Sequence, residues 1–186
     1  MATGAKYFLN GLSKLKASAE KLNDQQVTVG IHPEYDSRVP TTWDSGIEHG
    51  LVGREEVTSN TEIGMRMEFG YESMTPLGGT FDIPPRSWLI VPMLTDFPKE
   101  AGQKAAKRAA RQAIQDNSFG RFADTIADKA FEYIMANFDS GGGGKWPSNN
   151  PLWAEEKGND IPLHGKSDQL GNAITAKVSK RGNDPF

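Results

Sequence analysis

The chain contains no cysteine. That removes disulfide frameworks, thiolate zinc sites and cysteine nucleophiles together, and it suits a protein made and used in a reducing compartment. Long apolar runs are missing too. None is longer than Trp88-Leu89-Ile90-Val91, far short of the roughly 18 residues that span a bilayer. Met1 to Asn10 shows no basic region followed by an apolar stretch, so no secretory signal is read there. Histidine is sparse, and no two of His32, His49 and His164 stand at metal-ligand spacing such as i, i+4; His32 with Glu34 and Asp36, or Glu48 with His49, offer only an adventitious site. No Gly-x-Ser-x-Gly elbow is present. The run Gly141 to Gly144 followed by Lys145 lacks the spacing, the Ser/Thr and the preceding strand of a phosphate loop. The residues offer no catalytic set, no metal site and no cofactor site, so the expectation is a protein that is not an enzyme. Nor does one sign of charge dominate. Lys and Arg number 21 against 24 Asp and Glu, a net charge of −3, whereas a sequence-independent nucleic-acid binder is usually basic.

Glycine is what the chain has in excess. Twenty of 186 residues is about 11%, against a usual ~7%. With 37% hydrophobic residues, the length supports one domain over residues 1–186 with a modest core and extended loops or arms. Residues 4–23 read as a helix, with Phe8, Leu12, Leu15, Ala19 and Leu22 forming one apolar stripe. That stripe faces either the core or a neighbouring subunit. Val27, Val29 and Ile31 alternate in Gln25 to Ile31, which predicts a half-buried strand. The polar stretch 33–60, punctuated by Pro33, Pro40, Gly46, Gly50 and Gly53, reads as an insertion loop ordered by assembly.

Ser59 or Asn60 caps a helix over 61–69, with Ile63, Met67 and Phe69 facing inward and Gly70 ending it. Residues 71–85 read as a turn-rich loop with a short strand near Thr80 to Ile83. Asp96 then caps a helix of 97–116, with Pro98 in its first turn. Phe119 to Phe138 carries Phe122, Ile126, Ala130, Ile134 and Phe138 at i, i+4 spacing and forms a hairpin with the preceding helix around Asn117 and Gly120. Residues 139–150 read as a Gly-rich flexible loop. Trp146 and Trp153 anchor the segment between that glycine run and the last strand. Ile174, Ala176 and Val178 mark the strand, and 179–186 a loose tail. The fold class is therefore α+β: a small mixed or antiparallel sheet packed against helices, with long loops.

Two features stand out chemically. Lys104, Lys107, Arg108 and Arg111 share one helix face, suited to solvent, to an acidic neighbouring subunit or to DNA phosphates. Arg86 follows the stiff Pro84-Pro85 pair at the entry of the bulky run from Trp88. An Arg fork fixed there pairs with a carboxylate or with carbonyls, or else makes a subunit contact.

The order of segments is more telling than any one of them. The strand Val27-Thr28-Val29-Gly30-Ile31 precedes Met67-Glu68-Phe69-Gly70, then Ile83-Pro84-Pro85-Arg86-Ser87-Trp88-Leu89, then two helices. Trp153 to Lys157, Pro162-Leu163 and Gln169-Leu170-Gly171-Asn172-Ala173-Ile174 come after them. This set resembles the tail-completion, or neck (head–tail joining), proteins of long-tailed bacteriophages. Pro85, Ser87 and Trp88 stand where that pattern has Ala, Pro and Phe. Gly165-Lys166-Ser167-Asp168 stands near its Thr-Gly pair, and residues 32–60 exceed its usual insert.

The resemblance implies a structural virion protein of the phage neck, assembled in the host cytoplasm as a homo-oligomeric ring, commonly of six copies. It implies a head-side connector or portal-type protein and a tail terminator or tail tube protein as partners. DNA would pass through the channel without specific binding, and no membrane is involved. Subunit and partner contacts then fall to Phe69, Arg86 and Trp88, to the face of Lys104, Lys107, Arg108 and Arg111, and to Trp146 and Trp153. The alternatives are a tail terminator or minor tail protein and, in a different class, a nucleic-acid-associated regulator that uses the basic face.

Overall fold

A computed structural model describes residues 2–38, 59–74, 79–165 and 167–182. Most of the expected insertion loop (33–60) and the end of the expected tail (179–186) lie outside the described residues. The fold is α+β: helices with small antiparallel strand pairs. The elements are α1 (Ala2–Leu22), β1 (Gln25–Ile31), α2 (Asn60–Phe69), β2 (Tyr71–Met74), β3 (Thr80–Ile83), α3 (Ala101–Asp116), α4 (Phe122–Asp139), α5 (Pro151–Lys157), α6 (Gln169–Ala173) and β4 (Ile174–Lys180). The chain forms two compact units: residues 1–29, 93–133 and 176–186, and residues 30–92 and 134–175.

In the first unit, α1 approaches the turn between α3 and α4. The Ser18 hydroxyl accepts from the Phe119 N–H at 2.9 Å, and a Cβ on Gly11 would stand 3.2 Å from the Asn117 amide oxygen. Gly11, a weak residue for a helix interior, gives that side chain room. Leu12 of the expected apolar stripe is 47% exposed, while Leu15, Ala19 and Leu22 are half-buried. Asn117 ends α3 in the left-handed region, at φ 51°. Buried alanines line both helices, Ala105, Ala109 and Ala113 on α3 and Ala123, Ala127 and Ala130 on α4.

The start of α3 differs from expectation. The helix begins at Ala101 rather than 97, and Asp96 is not its cap. Pro92 lacks an N–H and breaks the ladder of the segment before it, which turns as a π-type coil over Pro92–Asp96. Phe97 is then drawn inward against Tyr133, with ring centroids 5.6 Å apart, and its carbonyl accepts from the Gly102 N–H at 2.7 Å.

β1 pairs with β4. The Arg181 N–H donates to the Asp24 carbonyl at 2.6 Å, Gln26 bonds Ser179, and His32 bonds Thr175. Partners rise along one strand as they fall along the other, so the pair is antiparallel. β4 runs on to Lys180, through the first residues of the expected tail.

The second unit contains α2, which the Ser59 hydroxyl caps by accepting from the Glu62 N–H at 3.0 Å. Of the expected inward residues, Ile63 and Met67 are half-buried and Phe69 is not. Phe69 is 63% exposed, and the buried line is Asn60, Gly64 and Glu68, at i, i+4, i+8. Polar partners fix this rotation. The Asn60 amide donates to the Tyr35 and Ser37 carbonyls at 3.0 and 3.2 Å. The Gly64 carbonyl accepts from the Trp88 indole at 2.9 Å, and a Cβ on Gly64 would meet that ring at 3.1 Å. β2, read from sequence as loop, pairs antiparallel with β3, Tyr71 opposite Ile83. Gly141 to Gly144, read as a flexible linker, continue from α4 as a hydrogen-bonded turn with all four φ positive. The core of this unit gathers around Phe138, fully buried, whose ring meets Trp88 at 6.4 Å, Trp146 at 6.3 Å and His164 at 5.3 Å.

Candidate functional site

The centre of the second unit is a clasp made by two polar side chains. The buried Glu68 carboxylate accepts from the backbone N–H of Trp88 (2.9 Å), Leu89 (3.0 Å) and Ile90 (3.1 Å). Ser87 donates its hydroxyl proton to the same carboxylate and accepts from the Val91 N–H at 3.0 Å. Four successive amides opening a helical turn would otherwise lack partners. One carboxylate and one hydroxyl satisfy all four, and ionised acceptors form the stronger bonds.

The surrounding residues hold the clasp in register. The Arg86 N–H donates to the Met67 carbonyl at 2.7 Å. Gly70 has φ 74°, and a Cβ there would lie 2.7 Å from the Ile83 carbonyl oxygen and 2.9 Å from the Pro85 nitrogen. Only glycine lets the chain leave α2 so close to β3. Glu68 and Gly70 of the one sequence block thus grip Ile83 to Ile90 of the other. The elements that make the clasp also carry exposed apolar side chains: Met65 (57% exposed) and Phe69 on α2, and Ile90 and Val91 on the clasped turn. Exposed apolar surface on a rigid support is suited to burial by a partner.

Two cations are buried in this unit. The Arg86 Nε donates to the Pro147 carbonyl at 3.2 Å, which is the carbonyl pairing among the sequence alternatives. Burial lowers its pKa, partly opposed by Tyr71. Lys157 ends α5 and donates to the carbonyls of Ile161 and His164. Burial and then the Arg86 charge push its pKa down, and Asp160 and Asp168 oppose them. His164 stands 3.2 Å from both Asp139 and Asp168.

The residues singled out from sequence therefore separate by position. Phe69 is exposed beside the clasp. Arg86 and Trp88 are buried and bound within the chain. Trp146 is half-buried, folded over Gly142 and edge-on to Phe138. Trp153 lies on α5, its side chain outside the described residues. Lys104, Lys107, Arg108 and Arg111 all project to solvent from α3. Glu68, Ser87 and Lys157 lie within the sequence motifs, but sequence reasoning assigns them no role. The signal for Glu68 was its i, i+4 alignment with Gly64 on a helix whose apolar residues are too scattered to make a stripe.

Among the described residues, no group of three or more His, Cys, Asp or Glu is placed to hold a metal ion, and no helix is long and apolar enough to cross a membrane. No family model, no curated protein and no solved structure matches this chain.

Proposed function

We propose that this chain is a structural virion protein of the phage neck, a ring subunit that joins the head connector to the tail and leaves a channel for DNA. One observation carries the reading. The Glu-Phe-Gly and Ile-Pro-Pro-Arg-Ser-Trp blocks, on which the resemblance to the neck family rests, form one hydrogen-bonded clasp through Glu68 and Ser87. Blocks that bond each other have a shared structural reason to occur together and in that order. The elements joined by the clasp leave Phe69, Met65, Ile90 and Val91 exposed, apolar residues of the kind a subunit buries against a partner. Work of this sort is docking rather than chemistry.

The test is copy number per purified particle of the source phage, by quantitative mass spectrometry. A ring's worth, on the order of six to twelve copies, is the expected result. Hundreds of copies would make the chain a tube or shell protein. Absence from particles that still require the gene would make it an assembly factor or regulator.

A further inference from the structure

The helices α3 and α4 carry opposite charges on exposed faces that the described chain leaves largely unpaired. On α3, Lys104, Lys107, Arg108 and Arg111 are exposed, and no ion pair forms to any of them among the described residues. Ile114 lies on the same face, 60% exposed. On α4, Asp124, Asp128 and Glu132 are spaced at i, i+4, i+8 and are exposed. Only Glu132 has an ionic partner among the described residues, its neighbour Lys129. Phe131, half-buried, sits beside Asp124 and Asp128 at i+7 and i+3.

The two faces match in length and kind. At 1.5 Å rise per residue, Lys104 to Arg111 spans about 10 Å and Asp124 to Glu132 about 12 Å. Each row of charge has an apolar residue beside it, Ile114 on one and Phe131 on the other. From this complementarity we infer that a second copy of this chain docks here, the basic face of α3 in one protomer seating on the acidic face of α4 in the next. The inference rests on the ring reading and names the contact that would build it. Because the two faces differ, the contact is head-to-tail. Such contacts close into a ring when the rotation between neighbours permits. Opposite charges at the rim of an apolar contact set orientation and speed encounter. They also make the association weaken with salt, since the Debye length falls from roughly 10 Å at 0.1 M to 3 Å at 1 M.

The experiment is sedimentation velocity on the full chain at about 50 mM and about 500 mM salt, with two charge-reversed variants. One is Lys104→Glu with Arg108→Glu and Arg111→Glu. The other is Asp124→Lys with Asp128→Lys. All five positions are exposed, and matching thermal transitions check that both variants fold. The parent is expected to self-associate, at least tenfold more weakly at high salt. Each variant alone is expected to stay monomeric where the parent assembles. Mixed one to one, the variants should assemble again, because each then meets the opposite charge on both of its faces. Four results overturn the inference: a parent that is monomeric at low salt, a variant that assembles like the parent, a mixture that stays monomeric, or loss of duplex-DNA binding by the α3 variant with association unchanged. A parent ring that survives both reversals removes this contact and leaves the ring reading standing. That reading falls separately, on the copy number in the particle.

Discussion

Glu68 and Ser87 lie nineteen residues apart and share one proton donor–acceptor contact, through which α2 supplies the cap for the turn after Pro84-Pro85-Arg86. A carboxylate from one element thus performs the role that the first residue of a helix usually performs for itself. Replacing Glu68 by Gln removes the charge and turns an amide N–H₂ toward a row of backbone donors. Glu68→Gln should destabilise the chain by about 2–4 kcal/mol, and Ser87→Ala by about 1–2 kcal/mol. Urea unfolding of the two single variants and the double variant measures both. Since the residues serve one network, the double variant should lose less than the sum of the two.

Gly70 and Gly143 separate two costs that are usually confounded. Both have positive φ, 74° and 65°. A Cβ on Gly143 meets nothing within 4 Å, whereas one on Gly70 meets the Ile83 carbonyl oxygen at 2.7 Å. Gly143→Ala should cost about 1 kcal/mol, the left-handed backbone alone. Gly70→Ala should cost at least about 2–3 kcal/mol, because β3 and Pro85 must move as well. Equal losses in denaturant titrations would mean that the chain around Gly70 yields freely.

Asp36 makes the stability depend on acid. Partial burial pushes its carboxyl up, but hydrogen bonds from Thr61, then Ser59 and Asn60, outweigh that and hold it below the ordinary aspartate value. The Thr61 N–H lies 2.6 Å from its Oδ1, at the positive end of α2. A depressed folded-state pKa means that the unfolded chain binds the proton first. The contribution is therefore complete above the unfolded value of about 3.9 and is lost as pH falls through the folded value. Asp36→Asn should flatten the acid limb of a stability–pH profile and leave its slope at neutral pH unchanged. An acid limb identical to the parent's would assign the effect to other carboxylates.

How much of this was legible depended on how far each signal reaches along the chain. The bounds of β1 and β3, Ser59 as a cap and Gly70 as a stop come from alternation, a hydroxyl and a glycine, all local. The rotation of α2 does not. It is set by Tyr35, Ser37, Trp88 and the amides after Ser87, none of them within the helix. A pattern of apolar residues alone therefore turned Phe69 inward and passed over Glu68. β2 was hidden for the same reason, since Tyr71–Met74 acquires its strand character from the ladder with β3. The late start of α3 needed the inward pull of Phe97 on Tyr133. At the candidate site, the motif blocks were visible as letters, and the bond between them was not.

The aromatic centre of the second unit gives the last prediction. Phe138 has no exposed surface, and its ring contacts Trp88, Trp146 and His164. Gly171 presses on the same ring, where an added Cβ would sit 3.4 Å from its Cε1. With small residues and rings on several sides, the site cannot collapse far when the phenyl group is removed. Phe138→Ala should therefore fall within the range of about 3–5 kcal/mol for such truncations, near its upper end, and Phe138→Leu should cost clearly less. Two tryptophans border the ring, so near-UV circular dichroism reports the change directly. In Phe138→Leu the tryptophan bands should persist. In Phe138→Ala they should weaken while the far-UV signal of the helices remains. Retention of the bands and of stability in Phe138→Ala would mean that the bonds of Trp88 to Gly64 and Glu68 suffice to hold it, and that the clasp does not depend on the core beneath it.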